Sequence, residues 1–142
     1  MKAICIVLAE HPQVVRQGLR ALLTAEPDFT VVGESASGLE VADLVERVRP
    51  DVLVLDFVMP GLNAPDIVRR VLRVSPHTRA LVLSMHANPA YVVEAMQSGA
   101  AGYVLKGSSA AELVRAIRAV AEGARHLSPP LSEEMLEAYS KR

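Results

Sequence analysis

Cysteine is almost missing from this chain. Cys5 is the only one in 142 residues, which excludes an internal disulfide and a cysteine-built metal cluster; its expected place is that of a small hydrophobe inside the first strand. Long apolar runs are missing too. Stretches such as AICIVLA (3–9) fall far short of a membrane span, and the first residues lack the charged, apolar, small-residue order of a secretory signal. The chain is therefore read as cytoplasmic, with no membrane partner. No excess of charge of one sign is present. Fifteen Lys and Arg face sixteen Asp and Glu, for a net charge of −1, and like charges do not gather in long runs. This excludes phosphate binding by bulk electrostatics as a primary role. Repeats and low-complexity segments are likewise absent. With 51% apolar residues, the chain can close one core but is too short for two domains of ordinary size.

What is present is alternation. AICIVLA (3–9), DVLVLD (51–56), ALVLS (80–84) and GYVLK (102–106) are continuous apolar runs, with TVVG (30–33) a weaker fifth. Continuous runs of this length suit parallel strands buried on both faces. Between them lie apolar residues at helical spacing: Val15, Leu19, Leu22 and Leu23, then Val41, Leu44, Val45 and Val48, then Ile67, Val68, Val71 and Leu72. Val92, Val93 and Met96, then Leu113, Ile117 and Val120, continue the pattern. Five such alternations predict an α/β fold: a doubly wound, five-stranded parallel sheet of flavodoxin-like order 2-1-3-4-5, with helices on both faces. Pro12 opens the first helix, Pro76 stops the third, and Gly99 and Gly123 stand where left-handed caps should end the fourth and fifth. After SPP (128–130), LSEEMLEAYSKR predicts one short amphipathic helix with Lys141 and Arg142 in its last turn. The expected division is a domain over 1–126 and a C-terminal linker segment over 127–142, lying apart from the core.

In such a sheet, functional groups collect beyond the carboxyl ends of the strands, near the point where strand order reverses. Glu10 and His11 follow the first run, Asp56 closes the third, Ser84 the fourth and Lys106 the fifth. A carboxylate directly after VLVL is costly unless paired, bonded or metallated. Capping the next loop would also account for Asp56 alone; an acid, a hydroxyl and an ammonium converging from several strands point further, to phosphoryl transfer onto a carboxylate. Lys106 would hold the carboxylate and later a phosphoryl oxygen, and Ser84 would donate to another. Tyr103 in its apolar strand reads equally well as core packing. His77 and His126 are expected in solvated turns, and His86 could border the site. A flavodoxin-like cofactor binder would need a phosphate-cradling loop after the first strand, and AEHPQ contains no glycine.

The strings VLAEHPQVVRQGLRALL, FTVVGES, RPDVLVLDFVMPGL, LVLSMHA and GAAGYVLKG, in this order and spacing, resemble receiver domains of response regulators of the NarL/LuxR (FixJ) type. The resemblance implies a non-enzymatic signalling domain of a two-component phosphorelay. It places Asp56 on the phosphoacceptor, Lys106 on the phosphate-pairing lysine, and Ser84 and Tyr103 on the switch hydroxyl and switch aromatic. The backbone carbonyl of Val58 falls on a Mg²⁺ ligand, followed by the turn Met59-Pro60-Gly61. It further implies phosphorylation by a sensor histidine kinase, homodimerisation, and control of a LuxR-type transcriptional output through DNA. That contact would be made by a C-terminal helix-turn-helix, which is expected to lie outside these 142 residues. One departure stands out. The family carries two adjacent acids after the first strand; here Glu10 takes the first position and His11 the second. Imidazole is a poor ligand for Mg²⁺, so the expected metal set is Glu10, Asp56 and Val58, with His11 a doubtful member and binding weakened. The departure also opens an alternative: an atypical receiver that acts as a phosphorylation-independent dimerisation module.

Overall fold

The computed structural model describes residues 2–141. Along the chain run β1 (Ile4–Ala9), α1 (Gln13–Thr24), β2 (Phe29–Ser35), α2 (Val41–Val48), β3 (Val52–Asp56), α3 (Ala64–Val74) and β4 (Arg79–Ser84). They are followed by α4 (Pro89–Gln97), β5 (Gly102–Leu105), α5 (Ala110–Ala121), β6 (His126–Leu127) and α6 (Glu133–Ser140). All described strand pairs are parallel, in the order β2-β1-β3-β4-β5-β6. The order 2-1-3-4-5 is thus as expected, and a sixth, two-residue strand extends it beyond β5.

The continuous apolar runs are explained by the two cores they serve. In β3, Leu53 and Leu55 face α2, α3 and α4, whereas Val52 and Val54 face α1 and α5. All four are fully buried, and each contributes about 1.5–3 kcal/mol of burial. Caps stand where helices must begin. Asn63, Asn88, Ser109 and Ser132 each accept a hydrogen bond from a backbone N–H in the first turn of α3, α4, α5 and α6. Gly99 and Gly123 have φ of 112° and 93°, the left-handed ends expected after α4 and α5.

β2 breaks the simple alternation. Ile6 pairs with Val31 but Val7 pairs with Gly33, so Val32 is an extra residue. Phe29 and Val31 lie on the α1 side, a Cβ on Gly33 would meet Leu44 of α2, and Glu34 is back on the α1 side, paired with Arg16 and Arg20.

The C-terminal segment corrects the expectation of a linker helix apart from the core. Leu131 and Leu136 are buried in the same cluster as Val92, Val93 and Met96 of α4, with Met135 and Tyr139 packed against it. Ser128, fully buried, accepts from Leu105 N–H at 3.0 Å and donates to Glu112. His126 is not in a solvated turn: it lies in β6, half-buried, with Nε2 3.5 Å from Glu112. His77 is exposed as expected. α6 ends at Ser140 with Lys141 as its C-cap, bonded to Glu137 at 3.0 Å; Arg142 lies outside the described residues. Among the described residues, no helix is long and apolar enough to cross a membrane.

Candidate functional site

Strand order reverses between β1 and β3, and there the chain places two buried acids. Glu10, one residue beyond β1, is fully buried, and Asp56, the last residue of β3, is 6% exposed. Lys106 follows β5 and reaches back across the sheet edge. Its Nζ lies 2.9 Å from Glu10 Oε1 and 3.2 Å from Asp56 Oδ2. Burial alone would lower the Lys106 pKa, but its contacts with Glu10 and Asp56 outweigh that and raise it. The Glu10 carboxyl is raised above the usual carboxylate range, first by burial and then by the neighbouring Asp56 charge, against the opposing bond from Lys106. Two acids thus share one ammonium, which leaves a net negative pocket.

Glu10 Oε2 is buried without a hydrogen-bond partner. A buried carboxylate oxygen left open beside a second carboxylate is what a hard cation requires, so these residues fit one. Among the described residues no three His, Cys, Asp or Glu side chains converge as a metal cage, in keeping with the missing second acid. His11 does not replace it. Its ring is exposed, with Nδ1 3.4 Å from the carbonyl of Ala36. Val58 N–H donates to Asp56 Oδ1 at 3.3 Å, and the Val58 side chain is left 65% exposed.

Ser84 and Tyr103 both bond the backbone of His86, on the two peptide groups that flank its Cα. The N–H of His86 donates to Ser84 Oγ at 2.9 Å, while the Tyr103 hydroxyl donates to the His86 carbonyl at 2.8 Å. The Ser84 hydroxyl also bonds toward the Tyr103 phenol, which opposes the effect of burial on that group. Tyr103 is fully buried, which raises its phenol pKa. Its ring lies 6.4 Å from Phe57, which lies 5.2 Å from Tyr91 of α4; Tyr91 in turn is 5.3 Å from the His86 ring. His86 does border the site, chiefly through its backbone. Phe57 and Tyr91 were missed in the sequence; the signal was there, since only five aromatic residues occur in the chain and three of them converge here.

The family model for the response regulator receiver domain matches residues 6–118. Among curated proteins, the transcriptional regulatory protein DegU of Brevibacillus brevis is 33% identical over 136 residues, covering 96% of this chain and 58% of DegU. The probable transcriptional regulatory protein NarL of Mycobacterium tuberculosis is 36% identical over 126 residues, covering 89% and 58%. The chain thus spans somewhat over half the length of these relatives. Among solved structures, a LuxR-family two-component response regulator from Aurantimonas sp. SI85-9A1 superposes with a TM-score of 0.90 at 34% identity, covering 98% of this chain and 99% of that one. The signal receiver domain of the putative response regulator NarL from Mycobacterium tuberculosis gives 0.81 at 33% identity, covering 87% and 99%. An acid, an ammonium and a hydroxyl gathered at the switch point of this sheet, together with these matches, identify the chain as a member of the response regulator receiver family, with LuxR-type regulators as its relatives.

Proposed function

We propose that Asp56 accepts a phosphoryl group from the phosphohistidine of a sensor histidine kinase, and that this modification controls a LuxR-type transcriptional output. The observation that supports it best is the Lys106 ammonium lying between Glu10 and Asp56. An Asp56 carboxylate oxygen attacks phosphorus, the P–N bond to the imidazole breaks with its electron pair returning to the ring nitrogen, and an acyl phosphate remains on the chain. Lys106 then pairs with a phosphoryl oxygen in place of the carboxylate. Ser84 turns its hydroxyl proton from Tyr103 to another, which pulls on the His86 backbone that Tyr103 also holds. Glu10, Asp56 and the backbone carbonyl of Val58 would hold Mg²⁺, which supplies positive charge against the phosphoryl oxygens. The domain modifies itself rather than turning over a substrate.

The convergence of Asp56 and Lys106 favours this reading over a phosphorylation-independent module. Residues 1–126 would form the phosphate-accepting unit and 127–142 its C-terminal extension, with the whole acting in the cytoplasm. Homodimerisation would use the face formed by β5 and its flanking helices, and DNA would be bound through a helix-turn-helix outside this chain. Incubation with acetyl phosphate and Mg²⁺ should add one phosphoryl group by intact mass, and Asp56→Asn should abolish the gain. Phosphopeptide mapping to Glu10 or Asp66 would overturn the assignment.

A further inference from the structure

The start of α1 inverts the usual pattern of burial. Val14 is 82% exposed and Val15 39%, yet among residues 13–18 Arg16 alone is drawn in, with its side chain only 19% exposed. Something other than apolar burial holds it there. Its Nη1 donates to the backbone carbonyl of Glu10 at 3.0 Å and to that of His11 at 3.3 Å, while its Nε lies 3.3 Å from Glu34 Oε1 on β2. Those two carbonyls belong to the turn between the end of β1 and the start of α1, beyond the strand ladder and ahead of the helix. One guanidinium, fixed from β2, therefore gathers two successive carbonyls of the turn that carries the pocket acid.

We propose that Arg16 is a positioning residue of the phosphoacceptor pocket: by clamping the Glu10 and His11 carbonyls it aims Glu10 at Lys106 and the cation site and turns His11 outward. This rests on the metal and phosphoacceptor reading above. The planar fork explains why arginine suits the task. It offers several donors in fixed directions, so the same side chain can hold a carboxylate on one edge and two carbonyls on the other. The effect is that of a group which orients a ligand without touching the ion.

The test is the Mn²⁺ affinity of the 142-residue protein, measured by calorimetry and by the EPR signal of free Mn²⁺, with thermal melts as a check on folding. Arg16→Ala should weaken Mn²⁺ binding about tenfold without a matching loss of secondary structure. Arg16→Lys, which can still donate to a carbonyl, should recover part of the loss, and Glu34→Gln should fall between wild type and Arg16→Ala. Arg69→Ala, which removes an equal charge from an exposed ion pair on α3, should bind like the wild type. If Arg16→Ala, or Arg16→Lys and Glu34→Gln where Arg16→Ala does not fold, bind within twofold of wild type while Glu10→Gln loses binding, the metal reading stands and the role of Arg16 is refuted. If Glu10→Gln also binds like the wild type, or the wild type binds no Mn²⁺, the underlying metal reading fails and the role of Arg16 with it.

Discussion

Tyr103 buries its whole ring and donates its hydroxyl proton to the carbonyl of His86. Tyr103→Phe preserves the packing against Phe57 but leaves that carbonyl short of a donor. The expected cost is about 1 kcal/mol in urea unfolding, with the His86 backbone, whose N–H also binds Ser84, becoming more mobile. A change of under a few tenths of a kcal/mol would show that the bond is not formed in solution. At the opposite end of the sheet, Arg118 pairs with Asp28 and with Glu26, and its guanidinium lies 4.7 Å over the Phe29 ring. The bond from Arg118 lowers the Asp28 pKa below its ordinary 3.8. A depressed carboxylate contributes stability in full above its unfolded value and loses it as pH falls through the folded one. Acid unfolding followed by circular dichroism should therefore show a component below pH 3.8 that Asp28→Asn lacks. Equal acid limbs in the two proteins would refute the coupling.

At the scale of elements, α4 lies between two packings. Tyr91 faces Phe57 and the His86 ring, while Val93 and Met96 share a cluster with Leu131 and Leu136 of the tail. An eight-residue helix such as α6 does not hold in water without such a partner. Leu136→Ala should speed amide exchange across 133–140 by tenfold or more and leave β1 and β3 within twofold, because the tail opens without unfolding the sheet. Uniform acceleration of all three would mean that α6 and the core open as one unit. Much of this architecture was legible beforehand. Val52 to Leu55 announce a strand buried on both faces, and the stripes of α3 and α5 match their buried sides, as does that of α2 except for the exposed Val48. His126 and Leu127 form too short a strand to show any period. The tail stripe indicated that something covers it, without indicating what, since periodicity identifies a face and not its partner. In the site, Asp56 and Lys106 were visible as polar residues closing apolar runs. The outward turn of His11 was not, because it depends on Arg16 and Glu34, residues that read as ordinary helix and strand surface.

For the molecule as a whole, fifteen Lys and Arg are offset by sixteen Asp and Glu, so no net positive charge is available to hold a phosphate backbone. These 142 residues should therefore not distinguish a cognate operator from random DNA in a gel shift at physiological salt, and discrimination by this chain alone would refute that. The two cores also divide the labour of the fold. The α1 and α5 side closes around Leu23, Leu113 and Ile117, whereas the larger side carries α2, α3, α4 and α6 together with the aromatic path from the pocket. Phe57, the residue after Asp56, thus links the pocket to the α4 side through its contact with Tyr91.

The extra residue in β2 bears on how this strand can tolerate insertions and deletions. Val32 is 36% exposed and falls between the pairs Ile6–Val31 and Val7–Gly33. Excising it would leave Val31, Gly33 and Glu34 on the faces they already occupy, so the strand should accept a one-residue shortening at that point. The same excision at Thr30 would carry Phe29 away from its core and move the strand out of phase. β2 is thus a place where the length of the chain can change by one while Glu34 still reaches Arg16.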